Sequence, residues 1–148
     1  MSLKNWLNNG WLTEHRTSAQ EITALLAVAD RDLSDCRTSG LSPDWKLNIA
    51  YNAALQTATA ALAASGYRAA REAHHFRVIH TLAHTVKTDA DLITLFDRFR
   101  KKRNISGYEL SGMVSDQEAK EMIDLATQLR QNVEEWLRKT HLDLLVGK

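Results

Sequence analysis

The sequence predicts an all-α fold, an up-and-down bundle of four to five helices. Three observations predict it. A single Pro and six Gly stand in 148 residues. The chain is rich in Ala and Leu, residues that favour helix. No run alternates apolar and polar residues as a half-buried strand would. Hydrophobic residues make up 44% and charged residues 25%, an ordinary globular composition that argues against disorder. The length is that of one domain, here residues 1–148 with a core over about 17–140.

Taken in order, Leu3 to Leu12 reads as a turn or short helix interrupted by Asn8-Asn9-Gly10. The first long helix starts near Thr17-Ser18 and runs to about Arg37, with Ile22, Leu25, Leu26, Ala29 and Leu33 on one face. Ser39-Gly40 closes it. Ser42-Pro43 opens a second helix as N-cap and first helical residue, and this helix continues to about Ala64. Its many alanines allow close backbone approach and place it in the middle of the bundle. After Ser65-Gly66, a third helix is expected from Tyr67 or Arg68 to Val86, with Phe76, Ile79, Ala83 and Val86 at helical spacing. Thr88-Asp89-Ala90-Asp91 resembles a capping box for a fourth helix to about Arg103, with Leu92, Leu95, Phe96 and Phe99 inward. Asn104 to Gly112 has no helical stripe. Ser115-Asp116-Gln117-Glu118 is a capping box for the last helix, whose Ala119, Met122, Ala126, Leu129, Val133 and Trp136 repeat at near seven-residue spacing. That spacing suits a helical seam, in the core or between two copies in a homodimer.

Net charge is +1, so any case for an anionic partner rests on clustering. Cys36 is the only cysteine, which excludes an internal disulfide and a Cys-rich zinc site and fits a reducing, cytoplasmic setting. No stretch of about eighteen apolar residues would span a membrane. Phosphate-cradling glycine loops, serine nucleophile motifs and dinucleotide fingerprints are absent from the sequence, and no cofactor is expected.

The clustering is at the end of the fourth helix, where Arg98, Arg100, Lys101, Lys102 and Arg103 place five cations in six residues. One reading is a solvated helix end whose cations complement the dipole. The other is a nucleic-acid-binding patch whose cations contact phosphates. Phe99 among them reads as a core anchor.

The segment Arg98-Phe99-Arg100-Lys101-Lys102-Arg103-Asn104-Ile105-Ser106-Gly107-Tyr108 resembles the Arg-Asn motif region of HEPN domains. A second block agrees: Ala50-Tyr51-Asn52-Ala53-Ala54-Leu55, then Ala60-Ala61-Leu62, Ser65-Gly66-Tyr67-Arg68, and His74-His75 before Ile79. The resemblance covers roughly Thr17 to Leu137. It implies a helical bundle that commonly dimerises and works beside nucleotides or RNA. Many members are metal-independent ribonucleases of toxin–antitoxin or defence systems; others are binding modules, often beside a nucleotidyltransferase. Active members carry Arg, four to six residues, then His, with a polar residue directly after the Arg.

Arg103-Asn104 matches the first half of that motif, but the position five after Arg103 is Tyr108, and the next His is His141. Metal-free cleavage of RNA needs a group that titrates near neutrality. Tyrosine, with an ordinary pKa near 10, is a poor substitute. The expectation is therefore a binding or regulatory module that contacts RNA, nucleotide, a nucleotidyltransferase or an antitoxin-like protein through Arg98–Arg103. The alternative is a divergent ribonuclease using Arg103 and Asn104 with Tyr108, or with a His delivered from elsewhere, His74 or His75 first.

Other clusters read as structural. His80 and His84 share a helix face with Arg77, which would repel a metal cation, and no Glu lies between them. No metal site is expected. Asp30, Asp32 and Asp35 are interleaved with Arg31 and read as a solvated face. Trp6, Trp11, Trp45 and Trp136 read as core or interface anchors.

Overall fold

A computed structural model describes residues 2–106 and 113–145. The architecture is helical, with six α-helices and one two-stranded ribbon among those residues. None of these helices is long and apolar enough to cross a membrane.

Helix α1 (Leu3–Asn8) is closed at its start by a capping box between Ser2 and Asn5, and it buries Trp6. Strand β1 (Leu12–Glu14) follows. Helix α2 (Ala19–Asp35) is capped by Ser18, whose hydroxyl accepts from the Glu21 amide, and it buries Ile22, Leu26, Ala29 and Leu33 as the periodicity requires. Helix α3 (Pro43–Ala64) starts on the Ser42 cap with Pro at its first turn. It is buried around most of its circumference from Leu47 to Ala64 and packs most extensively against α2 and α6 (Asp116–Thr140). Its alanines explain this placement, since a helix with methyl side chains can be enclosed on several sides at once.

Strand β2 (Tyr67–Ala69) pairs antiparallel with β1 in the register Leu12↔Ala69, Thr13↔Arg68, Glu14↔Tyr67. This corrects two expectations, that the chain has no strand and that the third helix begins at Tyr67 or Arg68. Each strand is three residues long, too short for alternation to show, and its partner lies more than fifty residues away. The helix itself, α4, spans only His74–Thr81. Its buried residues are Val78, Ile79 and Thr81, with Leu82 just beyond, whereas Ala83, placed inward by the expected stripe, is exposed. Helix α5 (Ala90–Ser106) buries Ile93, Phe96 and Phe99, with Leu92 and Leu95 partly covered. Helix α6 begins on the predicted Ser115–Glu118 capping box. It buries Ala119, Met122, Ala126, Leu129 and Val133, while Trp136 is half-buried. A 3₁₀ turn (Leu142–Leu144) ends the described chain.

Acidic residues of α2 act as tethers. Asp30 receives two bonds from the buried Arg130 guanidinium, at 2.8 and 3.1 Å, joining α2 to α6. Buried Asp32 accepts from Asn52 of α3 at 2.7 Å. Arg130 also donates to Glu134 at 3.0 Å.

Candidate functional site

The five cations of α5 separate into faces, as a helical period of 3.6 residues demands. Arg98 and Lys101 are exposed. Lys101 lies 3.7 Å from Asp97. Lys102 turns toward α6, 3.5 Å from Glu118. Arg100 and Arg103, one turn apart, share the face that looks toward α3 and α4.

On that face, Asp97 anchors Arg100 at 2.8 Å and lies 3.5 Å from His80 Nε2. Burial pushes the Asp97 carboxyl up, but the Arg100 hydrogen bond and the charges of Arg100, His80 and Lys101 outweigh it, so it stays below the ordinary range. The Arg100 guanidinium lies 5.5 Å from the Phe76 ring, and Phe76 is tilted against His80 at 4.2 Å. The half-buried Arg103 guanidinium lies 5.0 Å from the ring of Tyr51, a fully buried residue of α3. Across the same ring, the Tyr51 hydroxyl is 3.1 Å from His75 Nδ1.

Tyr51 therefore joins three elements: Arg103 from α5, His75 from α4, and its own position in α3. Phe96 of α5 packs edge-on against it at 5.6 Å. Burial pushes the phenol up to about 12, against the pull of Arg103 and Arg100, so the hydroxyl keeps its proton at neutral pH. A buried hydroxyl with one partner gives its proton to that partner. His75 Nδ1 is then the acceptor, and the ring N–H sits on Nε2. Burial first, then the charges of Arg103, His74 and Arg100, hold the His75 pKa below 6.5. A neutral ring with its Nδ1 lone pair engaged presents Nε2–H as a donor. This arrangement suits an anion better than it suits proton abstraction.

Of the motif residues, the Asn104 side chain and the whole of Tyr108 lie outside the described residues. The remaining candidates are placed. His80 meets Asp97, and His84 packs against Trp6 at 5.9 Å. Arg77 lies over Trp11 at 4.2 Å and near Trp6 at 5.8 Å, which gives both indoles a structural role. Trp136 packs against His141 at 5.0 Å. Trp45 is no core anchor, being 62% exposed. Cys36 is buried, its thiol directed to the Leu33 carbonyl and pushed up by burial.

Tyr51 carried no chemical signal in the sequence, because a tyrosine in an alanine-rich helix reads as packing. Comparison with family models, with curated proteins and with solved structures gives no match to this chain.

Proposed function

We propose that the chain is a HEPN-like binding or regulatory module, with its long helices arranged up and down, acting in the cytoplasm. Its α5 basic segment takes the phosphates of RNA or a nucleotide. The observation that carries this reading is the meeting of Arg100, Arg103 and His75 around Tyr51. Burial first, and then the charges of Arg103, His74 and Arg100, disfavour protonation of His75, and an arriving phosphate would relieve the electrostatic part. Outer cations Arg98 and Lys101 extend the surface along which a backbone can lie. Asp97 and Glu118 offset part of the charge, so a modest, salt-sensitive affinity is expected.

Fluorescence titration with a short single-stranded oligoribonucleotide tests the proposal. Replacing the exposed pair, Arg98→Ala with Lys101→Ala, should weaken binding and lower the salt slope by about one for each phosphate that is no longer neutralised. Replacing Arg100 and Arg103 by Gln should weaken it further. Unchanged binding in both double variants would refute the nucleic-acid reading.

A divergent ribonuclease is the second reading, and one observation favours it: α4 supplies His75 to the same tyrosine that Arg103 covers. The tautomer set by Tyr51 argues for binding over cleavage. Turnover of RNA that vanishes in His75→Gln would reverse that order. Homodimerisation and a nucleotidyltransferase or antitoxin-like partner belong to the same proposal. The seam would not be the near-heptad stripe of α6, because all of it except the half-buried Trp136 is buried within the chain.

A further inference from the structure

A second polar site lies in a cavity of about 250 Å³ between the β1–β2 ribbon, α2, α3 and the start of α4. On its wall His15 Nε2 is 2.7 Å from Glu21 Oε1, and the Thr17 hydroxyl donates to the same oxygen at 2.6 Å. The Thr17 bond leads in holding Glu21 below the usual carboxylate range; burial opposes it, and His15 and Arg68 assist. An ionised carboxylate only accepts, so His15 carries a proton on Nε2 and, as a neutral ring, a lone pair on Nδ1. His74 Nδ1 is 3.3 Å from the Ala70 carbonyl, which also only accepts. The His74 proton is therefore on Nδ1, and its Nε2 is a second lone pair.

What remains for a ligand is a set of acceptors. Glu21 Oε2, His15 Nδ1 and His74 Nε2 make no hydrogen bond among the described residues. The Thr59 hydroxyl gives its proton to the Leu55 carbonyl at 2.8 Å, so it too presents oxygen lone pairs, while the Tyr67 hydroxyl can take either role. The one permanent cation in the lining is Arg68, exposed on β2 opposite Thr13. Among the described residues no three His, Cys, Asp or Glu side chains group as metal ligands would. The acceptors therefore suit several N–H donors spread over one small molecule. Leu25, Leu62 and Val78 supply apolar wall. The volume is just under the roughly 300 Å³ at which drug-sized ligands begin to fit.

We propose that this cavity binds a small organic cation with N–H donors, an amine or guanidine head on a short apolar body. Glu21 Oε2 meets the charge and one N–H, His15 Nδ1 and His74 Nε2 take others, and Leu25, Leu62 and Val78 receive the body. An anionic head is disfavoured, because it would face the carboxylate and the two imidazole lone pairs. Arg68 opposes the cation only from an exposed position, where water and salt screen its charge. The site shares no side chain with the Arg100–Arg103 cluster, so its success or failure is independent of the proposed RNA contact.

The test is titration of the full chain at low salt, followed by two-dimensional amide spectra, with hexylamine, hexylguanidine, hexyltrimethylammonium and hexanoate. Hexylamine or hexylguanidine should shift the amides of His15, Glu21 and Val78 saturably, and comparison of the two identifies the preferred head. Hexyltrimethylammonium, which keeps the charge and lacks N–H, should bind about tenfold more weakly, as loss of charge-assisted hydrogen bonds requires. Glu21→Gln, which keeps the shape and removes the charge, should weaken the amine by a similar factor. Arg68→Gln, an exposed change that leaves the core intact, should tighten the amine by about twofold, since it removes a screened like charge. Hexanoate binding as tightly as hexylamine would overturn the proposal. So would an absence of saturable shifts with both N–H cations, a trimethylammonium affinity equal to that of the amine, or weaker amine binding in Arg68→Gln.

Discussion

Tyr51 is the residue on which the phosphate reading turns. Its ring is fully buried, its hydroxyl reaches His75 and its face carries Arg103. Tyr51→Phe keeps the packing and removes the proton that fixes the His75 tautomer. The loss of one largely buried hydrogen bond should cost about 1 kcal/mol in chemical denaturation, and the His75 ring should exchange between tautomers in its nitrogen shifts. The same burial predicts that one of the three tyrosines resists ionisation until about pH 12, which phenolate absorbance will reveal. Little of this was legible from residue types. Arg103 and Asn104 were recognisable as half of a motif; that a tyrosine fifty residues earlier would bridge Arg103 to a histidine was not, because helix packing alone brings the three together.

At the scale of elements, capping chemistry was the most legible feature. Ser42-Pro43 and Ser115–Glu118 start α3 and α6 where they were expected to, since a cap is decided by four adjacent residues. The ribbon and α4 were not legible, since pairing of Leu12–Glu14 with Tyr67–Ala69 is decided across the whole of α2 and α3. The chain reaches α4 through Ala73 in the left-handed region, φ 54°, a conformation that a Cβ makes unfavourable. Ala73→Gly should therefore stabilise the fold, by about 0.5–1 kcal/mol, offset in part by glycine's freedom in the unfolded chain; a lower melting temperature would contradict this. The tether between α2 and α6 predicts the opposite sign. Asp30→Ala leaves the buried Arg130 with Glu134 among its carboxylate partners. Because Asp30 itself is half exposed, the cost should be about 1–2 kcal/mol, below that of a fully buried pair.

For the whole molecule, the titrating groups bound the range of greatest stability on both sides. His75 and His84 have folded pKa values held below 6.5, chiefly by burial. The unfolded chain is then the better proton acceptor, and stability is lost as pH falls from about 6.5. Glu21, Asp97 and Glu118 are lowered carboxylates: Thr17 leads for Glu21, Arg100 overcomes burial for Asp97, and the Ser115 amide leads for Glu118. Their stabilisation is present above the ordinary carboxylate range and is lost as pH drops through their folded values. Tyr51 acts at the other end, since the unfolded chain ionises first above pH 10 and stability falls there. Melting temperature should be highest between these limits and should decline in two stages on the acid side. A curve still rising below pH 6 would contradict the burial of both histidines.

The central claim, that Arg100, Arg103 and His75 form a phosphate-facing cluster, is tested most directly by the pH titration of the His75 imidazole. The measurement is its ring resonance across pH 4–8, with and without a short oligoribonucleotide at saturating concentration and low salt. In the free protein the midpoint should lie below 6.5. With the oligonucleotide bound, a phosphate beside the ring should raise it, and Arg103→Gln should diminish that rise. A midpoint that the oligonucleotide leaves unchanged would contradict the account.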